Sequence, residues 1–333
     1  LKDVYFDRST ISKVDATGKL HYRGYNIHDL ASKSTFEETC HLLLHGTLPT
    51  QRELNQLNNQ MKSARTLHSS IIDVIESVKQ AHPMDVLRTA VSAGSTFAEN
   101  LGDHSTEETI SKGISLTAQA ATIVAAHARI REGKVPISPR DDLNHAANFL
   151  YMLFNRDPNP EDVKLIDKDF VLHAEHGVNA STFGARVAAA TGADYYATIT
   201  TAISVLKGPK HGGAAENVMH MALEVGTEDN AENYVRDRLK KGGRIMGFGH
   251  PVYKAVDPRS VHLKEGARLL GERRGQPKWF SIIQSLTETE AMKDRARFGI
   301  LPNVDLWSGA VYYLLGVPED LFVPLFALGR MPG

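Results

Sequence analysis

The chain has 333 residues, a formal net charge of −1 and one cysteine, with 42% apolar and 23% charged side chains. That length suffices for one large domain or two unequal ones without disulfides, and the interspersed, nearly balanced charge argues against a nucleic-acid or anionic-membrane partner. No apolar run approaches the roughly 20 residues needed to span a bilayer, and the first residues lack a basic stretch followed by an apolar core, so a cytoplasmic, reducing compartment is expected.

Residues 4 to 22 alternate apolar and polar side chains around Asp15-Ala16-Thr17-Gly18, which predicts a short hairpin and the only clear β signal. After Tyr25 the pattern turns helical and stays so. Ser34 with Glu37 and Thr50 with Glu53 read as capping boxes, and Leu48-Pro49 ends the helix between them. The helix after Thr50 is expected to reach Thr66. Pro83 opens another, Ser105 with Glu108 starts a long alanine-rich one reaching Arg131, and Asn159-Pro160 starts one running to His176. Further helical patterns cover 180–191, 194–207, 213–225, 230–241, 260–272, 278–297 and 305–315. The chain is therefore expected to be all-α, with no solenoid repeat and no alternating strand and helix pattern. Gly247-Phe248-Gly249 is not a dinucleotide fingerprint, because no strand precedes it and no third glycine closes it. Cys40, among Phe36, Leu42 and Leu43, is read as a core side chain without a chemical role.

Four breaks between helices gather the polar chemistry. His176 to Ser181 (HGVNAS) joins two helices, with Asn179 or Ser181 as cap. Gly208-Pro209-Lys210-His211-Gly212-Gly213 sets His211 at a helix start, where the helix dipole favours a neutral imidazole that donates a hydrogen bond. Met246 to Ser260 (MGFGHPVYKAVDPRS) stiffens His250 and Arg259 between glycines and prolines. Leu301 to Asp305 (LPNVD) puts Asp305 at a helix start, where a structural cap is the ordinary explanation. Two histidines, an aspartate and arginines for carboxylates suit proton abstraction beside a carbonyl, with a histidine stabilising the enol that forms. His41 with His45, and His173 with His176, have metal-compatible spacing but no supporting ligand set, so no metal is expected.

With these motifs in hand, HAEHGVNASTF (173–183), GPKHGGAAENV (208–218), GFGHPVYKAVDPRS (247–260) and PNVDLWSGAVYYLLGVP (302–318) resemble the sequence blocks of citrate synthase and its close relative 2-methylcitrate synthase. The stretches 22–31, 34–50 and 82–93 extend the resemblance over nearly the whole chain. It implies a helical, two-domain homodimer, with a large domain from 1–211 and 312–333 and a small domain, 212–311, that closes over the substrates. It further implies that Asp305 removes the α-proton of an acyl-CoA, that His211 hydrogen-bonds the thioester oxygen of the enol, and that His250 polarises the keto group of oxaloacetate. His176, Arg259 and Arg330 match positions that hold oxaloacetate, and Arg244, Ile245, Met246, Gly247 and Phe248 match the loop that receives CoA adenine. Lys210, Lys254 and Arg244 are open candidates for the CoA phosphates. No permanently bound cofactor is implied, since the CoA thioester is a substrate. The family pattern also runs past Gly333, through a helix and a tail carrying an arginine for the neighbouring subunit, which no residue of this sequence matches. Block one has Glu175 where relatives often have aspartate, a change that keeps the charge. Acetyl-CoA and propionyl-CoA differ by one methylene, worth about 1–3 kcal/mol of discrimination, so both products stay open. A catalytically silent scaffold of the same fold is the remote alternative.

Overall fold

The structure, a computed structural model, describes residues 8–208 and 211–333. Among them, β1 (Ser12–Val14) pairs antiparallel with β2 (Leu20–Tyr22), Ser12 opposite Tyr22 and Val14 opposite Leu20. The Asp15 carboxylate accepts from the N–H groups of Thr17 (2.9 Å) and Lys19 (3.2 Å), and Gly18 takes φ +86°, so the turn closes as its residues dictate. A third short strand, β3 (Tyr25–Asn26), adds to β2 and was not foreseen. Residues 4–7 of the expected hairpin lie outside the described residues.

Everything else is helical. Helices α1 (Ile27–Lys33), α2 (Phe36–His45) and α3 (Gln51–Ala64) follow in quick succession, α3 stopping two residues short of Thr66. The Thr50–Glu53 box is present as expected. The other box is Thr35 with Glu38, not Ser34 with Glu37. The reason is burial: with Phe36 as first helical residue, its ring is fully buried and its N–H reaches Asp167 (3.2 Å), while Glu37 turns inward to accept the N–H of His145 (2.7 Å). Glu37 is thus committed elsewhere and cannot reach back to its own helix start.

Helices α4 (Ser69–Ser77), α5 (Pro83–Gly94), α6 (Thr106–Ile130), α7 (His145–Phe154) and α8 (Pro160–His173) build the main core. Buried Ala118, Ala120, Ala121 and Ala125 let neighbours approach α6 closely, as its composition predicts. Cys40 is buried in this core. Helix α8 ends at His173, so His176 lies beyond it on an irregular connection. Then come α9 (Ala180–Ala190), capped by Asn179, α10 (Tyr195–Leu206), α11 (Ala214–Val225) and α12 (Ala231–Lys240).

The last helices are α13 (Ser260–Arg273), α14 (Lys278–Glu288), α15 (Glu290–Ala296), α16 (Asp305–Leu315) and α17 (Phe322–Arg330). The single helix expected over 278–297 breaks at Thr289, which is extended (φ −60°, ψ 146°) with its hydroxyl returned to the Leu286 carbonyl at 3.1 Å. That break lets Leu286 and Met292 both bury against α12. Helices α11 to α16 pack mainly on one another. At the crossing of α11 and α16, a Cβ on Gly309 would lie 2.5 Å from the Ala215 carbonyl oxygen, so only glycine permits this approach. Gly309→Val is expected to lower the unfolding free energy from urea titration by at least the about 1–3 kcal/mol typical of overpacking, while Gly316→Ala, with open space around it, costs only the strain of its positive φ.

Candidate active site

The glycine-rich loop and the segment before α16 form one clasp. Gly247 and Gly249 take φ +78° and +81°. A Cβ on Gly247 would come within 2.9 Å of the Leu306 Cα, so the loop can lie on α16 only without a side chain there. Asn303 N–H donates to the Gly247 carbonyl (2.9 Å), Gly249 N–H to that of Leu301 (2.8 Å), and the Asn303 amide side chain to that of Gly249 (2.9 Å). Two motifs more than fifty residues apart are thereby held as a unit, with His250 and Asp305 emerging from it.

His250 is fixed from behind. Its Nδ1 accepts the N–H groups of Val252 (3.0 Å) and Tyr253 (3.1 Å), which leaves the ring proton on Nε2. Burial, and then the Arg259 guanidinium, push its pKa down to about 4, so it is neutral at pH 7 and a hydrogen-bond donor, not an acid. His176 stands beside it, ring centroids 4.9 Å apart at 71°, with Nε2 2.9 Å from the Tyr253 hydroxyl. Burial and the same arginine depress its pKa as well.

Arg259 is 3% exposed and makes a two-pronged pair with Asp257, Nε to Oδ1 at 3.0 Å and Nη2 to Oδ2 at 2.7 Å. Burial works to raise the Asp257 carboxyl, yet the guanidinium outweighs it and the net shift is down. Asp257 also accepts the Val304 N–H (3.3 Å), which ties Arg259 into the clasp. Arg330, on α17, donates from Nε to the His173 carbonyl and lies over the Phe326 ring at 4.8 Å. Glu175 is buried, and its carboxylate is held by the Ser12 hydroxyl (3.0 Å) and the Gly177 N–H. Burial raises its pKa, and Arg330 opposes that.

Asp305 is the first residue of α16, whose start carries no side-chain cap, so the cap reading does not hold. Its carboxyl is half-buried, and desolvation raises its pKa although His173 and Arg259 pull the other way. A carboxylate left uncapped and pushed toward neutrality is a better base than an exposed one.

His211 departs from its expected neighbourhood. Helix α11 begins three residues later, at Ala214, and the N–H groups around His211 come instead from the start of α9. Ser181 offers its hydroxyl at 3.0 Å and its backbone N–H at 3.4 Å to Nε2. With Nε2 accepting from Ser181 the ring proton lies on Nδ1, and burial, with Arg330 next, lowers its pKa. The neutral donor inferred from the sequence is therefore present, held by a different helix. Lys210 lies outside the described residues. Lys254 and Arg244 are exposed, and neither is singled out as a phosphate contact. In the loop 244–248, Ile245 is buried and the Arg244 carbonyl accepts from Arg238 (3.1 Å). Among the described residues no group of three His, Cys, Asp or Glu side chains is placed to hold a metal. His41 bonds through Nδ1 to the Thr47 carbonyl at 2.8 Å. His173 bonds to the Asp169 carbonyl at 2.9 Å.

Sequence reasoning gave no role to Asp257, Tyr253 or Asn303, and offered Ser181 only as a possible helix cap, a place that Asn179 takes. The aspartate two residues before Arg259 was a readable signal for a guanidinium partner, whereas contacts such as Tyr253 to His176, separated by 77 positions, left none.

A family model described as "Citrate synthase, C-terminal domain" matches residues 1–333. The chain belongs to the citrate synthase family. It is an enzyme of the citrate synthase type. It is 42% identical over 336 residues to citrate synthase 2 of Bacillus subtilis, covering 100% of this chain and 89% of that protein. It is 41% identical over 340 residues to 2-methylcitrate synthase 1 of Corynebacterium glutamicum, covering 100% of this chain and 88% of the relative. The fold superposes with TM-score 0.95, at 29% identity, on the citrate synthase of Thermoplasma acidophilum in ternary complex with carboxymethyl coenzyme A and oxaloacetate, over 100% of this chain and 88% of that one.

The electrostatics of His250 give a pH signature. Because its native pKa lies below that of an exposed histidine, the unfolded chain binds the proton first as pH falls, and stability drops between about 6.5 and about 4. Nitrogen NMR is expected to show His250 neutral over the upper part of that window and half-protonated only near its lower end, and a His250→Gln variant to lose stability less steeply across it. Titration of His250 near 6.5 would contradict this reading.

Proposed function

We propose that this chain joins the α-carbon of an acyl-CoA thioester, acetyl-CoA first, to the keto carbon of oxaloacetate and then hydrolyses the adduct to citrate and CoA. The observation that carries the reading is the clasp, which presents Asp305, with its raised pKa, beside neutral His250 and buried Arg259. Asp305 takes the α-proton, and the His211 Nδ1–H stabilises the thioester oxygen of the enol. The enol carbon bonds to the keto carbon while the His250 Nε2–H stabilises the oxygen that becomes the hydroxyl. Arg259, Arg330 and His176 hold the two carboxylates, and water then cleaves the thioester, releasing the thiol. The loop from Arg244 to Phe248 receives the adenine of CoA. Neutral donors suit this chemistry, because they stabilise developing negative charge without first protonating the nucleophile.

Residues 212–311, which hold helices α11 to α15 and the first part of α16, act as a small domain that closes on the remainder (1–211 and 312–333), excluding water from the enol. Propionyl-CoA, giving 2-methylcitrate, is the second reading, supported by relatives of both names at 42% and 41% identity. Thiol release from acetyl-CoA and from propionyl-CoA, with and without oxaloacetate, tests both. Release is expected to require oxaloacetate, and the ratio of kcat/KM values chooses the acyl group. Asp305→Ala is expected to cut turnover about 100- to 10,000-fold with unchanged helical content. Full turnover in that variant would refute the role given to Asp305, and none in the parent chain would leave a silent scaffold.

The functional unit is a homodimer joined through α9 and α10. Helix α9 buries only Ser181, while Val187 is 51% exposed and Ala190, one turn on and on the same face, is exposed as well, an apolar face unlike an ordinary surface helix. Val187→Glu is expected to shift the sedimenting species from dimer to monomer.

A further inference from the structure

Between the two histidines of the ketoacid site lies a tyrosine that touches both. Tyr253 is 1% exposed. Its ring centroid is 4.5 Å from that of His250 and 5.3 Å from that of His176, nearly perpendicular (83°) to the latter. Its backbone N–H donates to His250 Nδ1 at 3.1 Å, and its hydroxyl is 2.9 Å from His176 Nε2. No other hydrogen bond is made by that hydroxyl among the described residues, so the direction of the bond follows from what each group would otherwise lose. Were His176 to donate, the buried phenol hydrogen would have no acceptor; when the phenol donates, both groups are satisfied. Burial also raises the phenol pKa, which keeps the hydrogen in place.

We propose that Tyr253 is a positioning residue that fixes His176 as its Nδ1–H tautomer through the side chain while fixing His250 as its Nε2–H tautomer through the backbone, so that two neutral histidines of opposite tautomer each present one N–H to a dicarboxylic ketoacid. The assignment deepens the proposed function and rests on it for the identity of the ligand. The tautomers themselves belong to the ligand-free protein. One residue thus bonds to both rings, sharing the His250 Nδ1 with the Val252 N–H (3.0 Å), and a shift of the Tyr253 backbone would disturb them together.

The test uses the full chain labelled with 15N-histidine, the His176 signals being assigned by loss in a His176→Asn variant. The wild type is expected to show a protonated Nδ1 and an unprotonated Nε2 at His176. In Tyr253→Phe, which keeps the ring and removes only the hydroxyl, the two His176 shifts are expected to move toward each other while those of His250 stay in place. The KM for oxaloacetate is expected to rise about 3- to 10-fold, the range of one neutral hydrogen bond, with kcat and the acyl-CoA KM within twofold. A merely structural role would weaken both substrates alike and leave the His176 tautomer unchanged. A wild-type spectrum with the proton on Nε2 overturns the proposal, whatever the variant does. So does a Tyr253→Phe variant with wild-type shifts or an unchanged oxaloacetate KM beside normal turnover. Because the spectrum needs no substrate, absence of turnover in the parent chain would count against the proposed function and not against the tautomer assignment.

Discussion

The site depends on the backbone clasp between Gly247–Gly249 and Leu301–Asn303. Its hydrogen bonds, 2.8 to 2.9 Å long, are made by main-chain groups and one asparagine, so they fix positions without using the side chains that do chemistry. The clasp needs glycine at 247, because Leu306 of α16 occupies the space of a Cβ. It also needs α16 to be immobile, which Gly309 achieves by letting α16 settle on the Ala215 carbonyl of α11. Two glycines thus transmit helix packing into the separation of Asp305 from His250. A net bond of this kind contributes only about 0.5–1.5 kcal/mol, yet misplacing a catalytic group by about an ångström can cost 100-fold in rate. The clasp matters more for geometry than for stability.

Desolvation then sets the protonation states. It lowers the histidines and raises Asp305, and the buried arginines reinforce the first effect while opposing the second. Net positive charge from Arg259 and Arg330 is what a dianionic ligand requires, but two uncompensated guanidinium groups in a low-dielectric site would each cost several kcal/mol. Asp257 and Glu175 offset this from behind, the first by a two-pronged contact and the second across the Tyr22 and Ser12 layer. The histidines must therefore stay neutral, since a further positive charge beside Arg259 has no acid of its own to balance it.

Much of this was legible in the sequence because helix boundaries are local events. Asn159, Asn179, Thr50 and Pro83 act where their own chemistry predicts. The failures share a cause. Ser34 lost the cap to Thr35 because Phe36 and Glu37 were drawn into contacts with Asp167 and His145, more than a hundred residues away. Asp305 is the first helical residue, one past the cap position, with its N–H taken by the Asn303 side chain (3.0 Å), and His211 is steadied by Ser181 of α9 instead of the helix it precedes. In each instance a tertiary contact outweighed a local preference of comparable size, and no periodicity records that.

The division of the site between packed groups of helices has a mechanical consequence. His250, Arg259 and Asp305 all belong to the clasp and to α11–α16, so any rigid displacement of those helices moves base and donor together. His176, Ser181 and Arg330 belong to the remainder. The bonds that a displacement would strain include Tyr253 to His176, Lys254 N–H to the Ala16 carbonyl (2.9 Å), His28 to His262 (2.8 Å), His220 to Glu319 (2.7 Å), Asp162 to Arg273 and Arg274, and the buried Tyr312 hydroxyl to Asp169 (2.6 Å). Most are single or partly exposed polar contacts of modest strength, whereas the clasp is internal and backbone-made. The backbone-made clasp thus keeps Asp305 and His250 at a fixed separation whatever the two groups of helices do relative to one another.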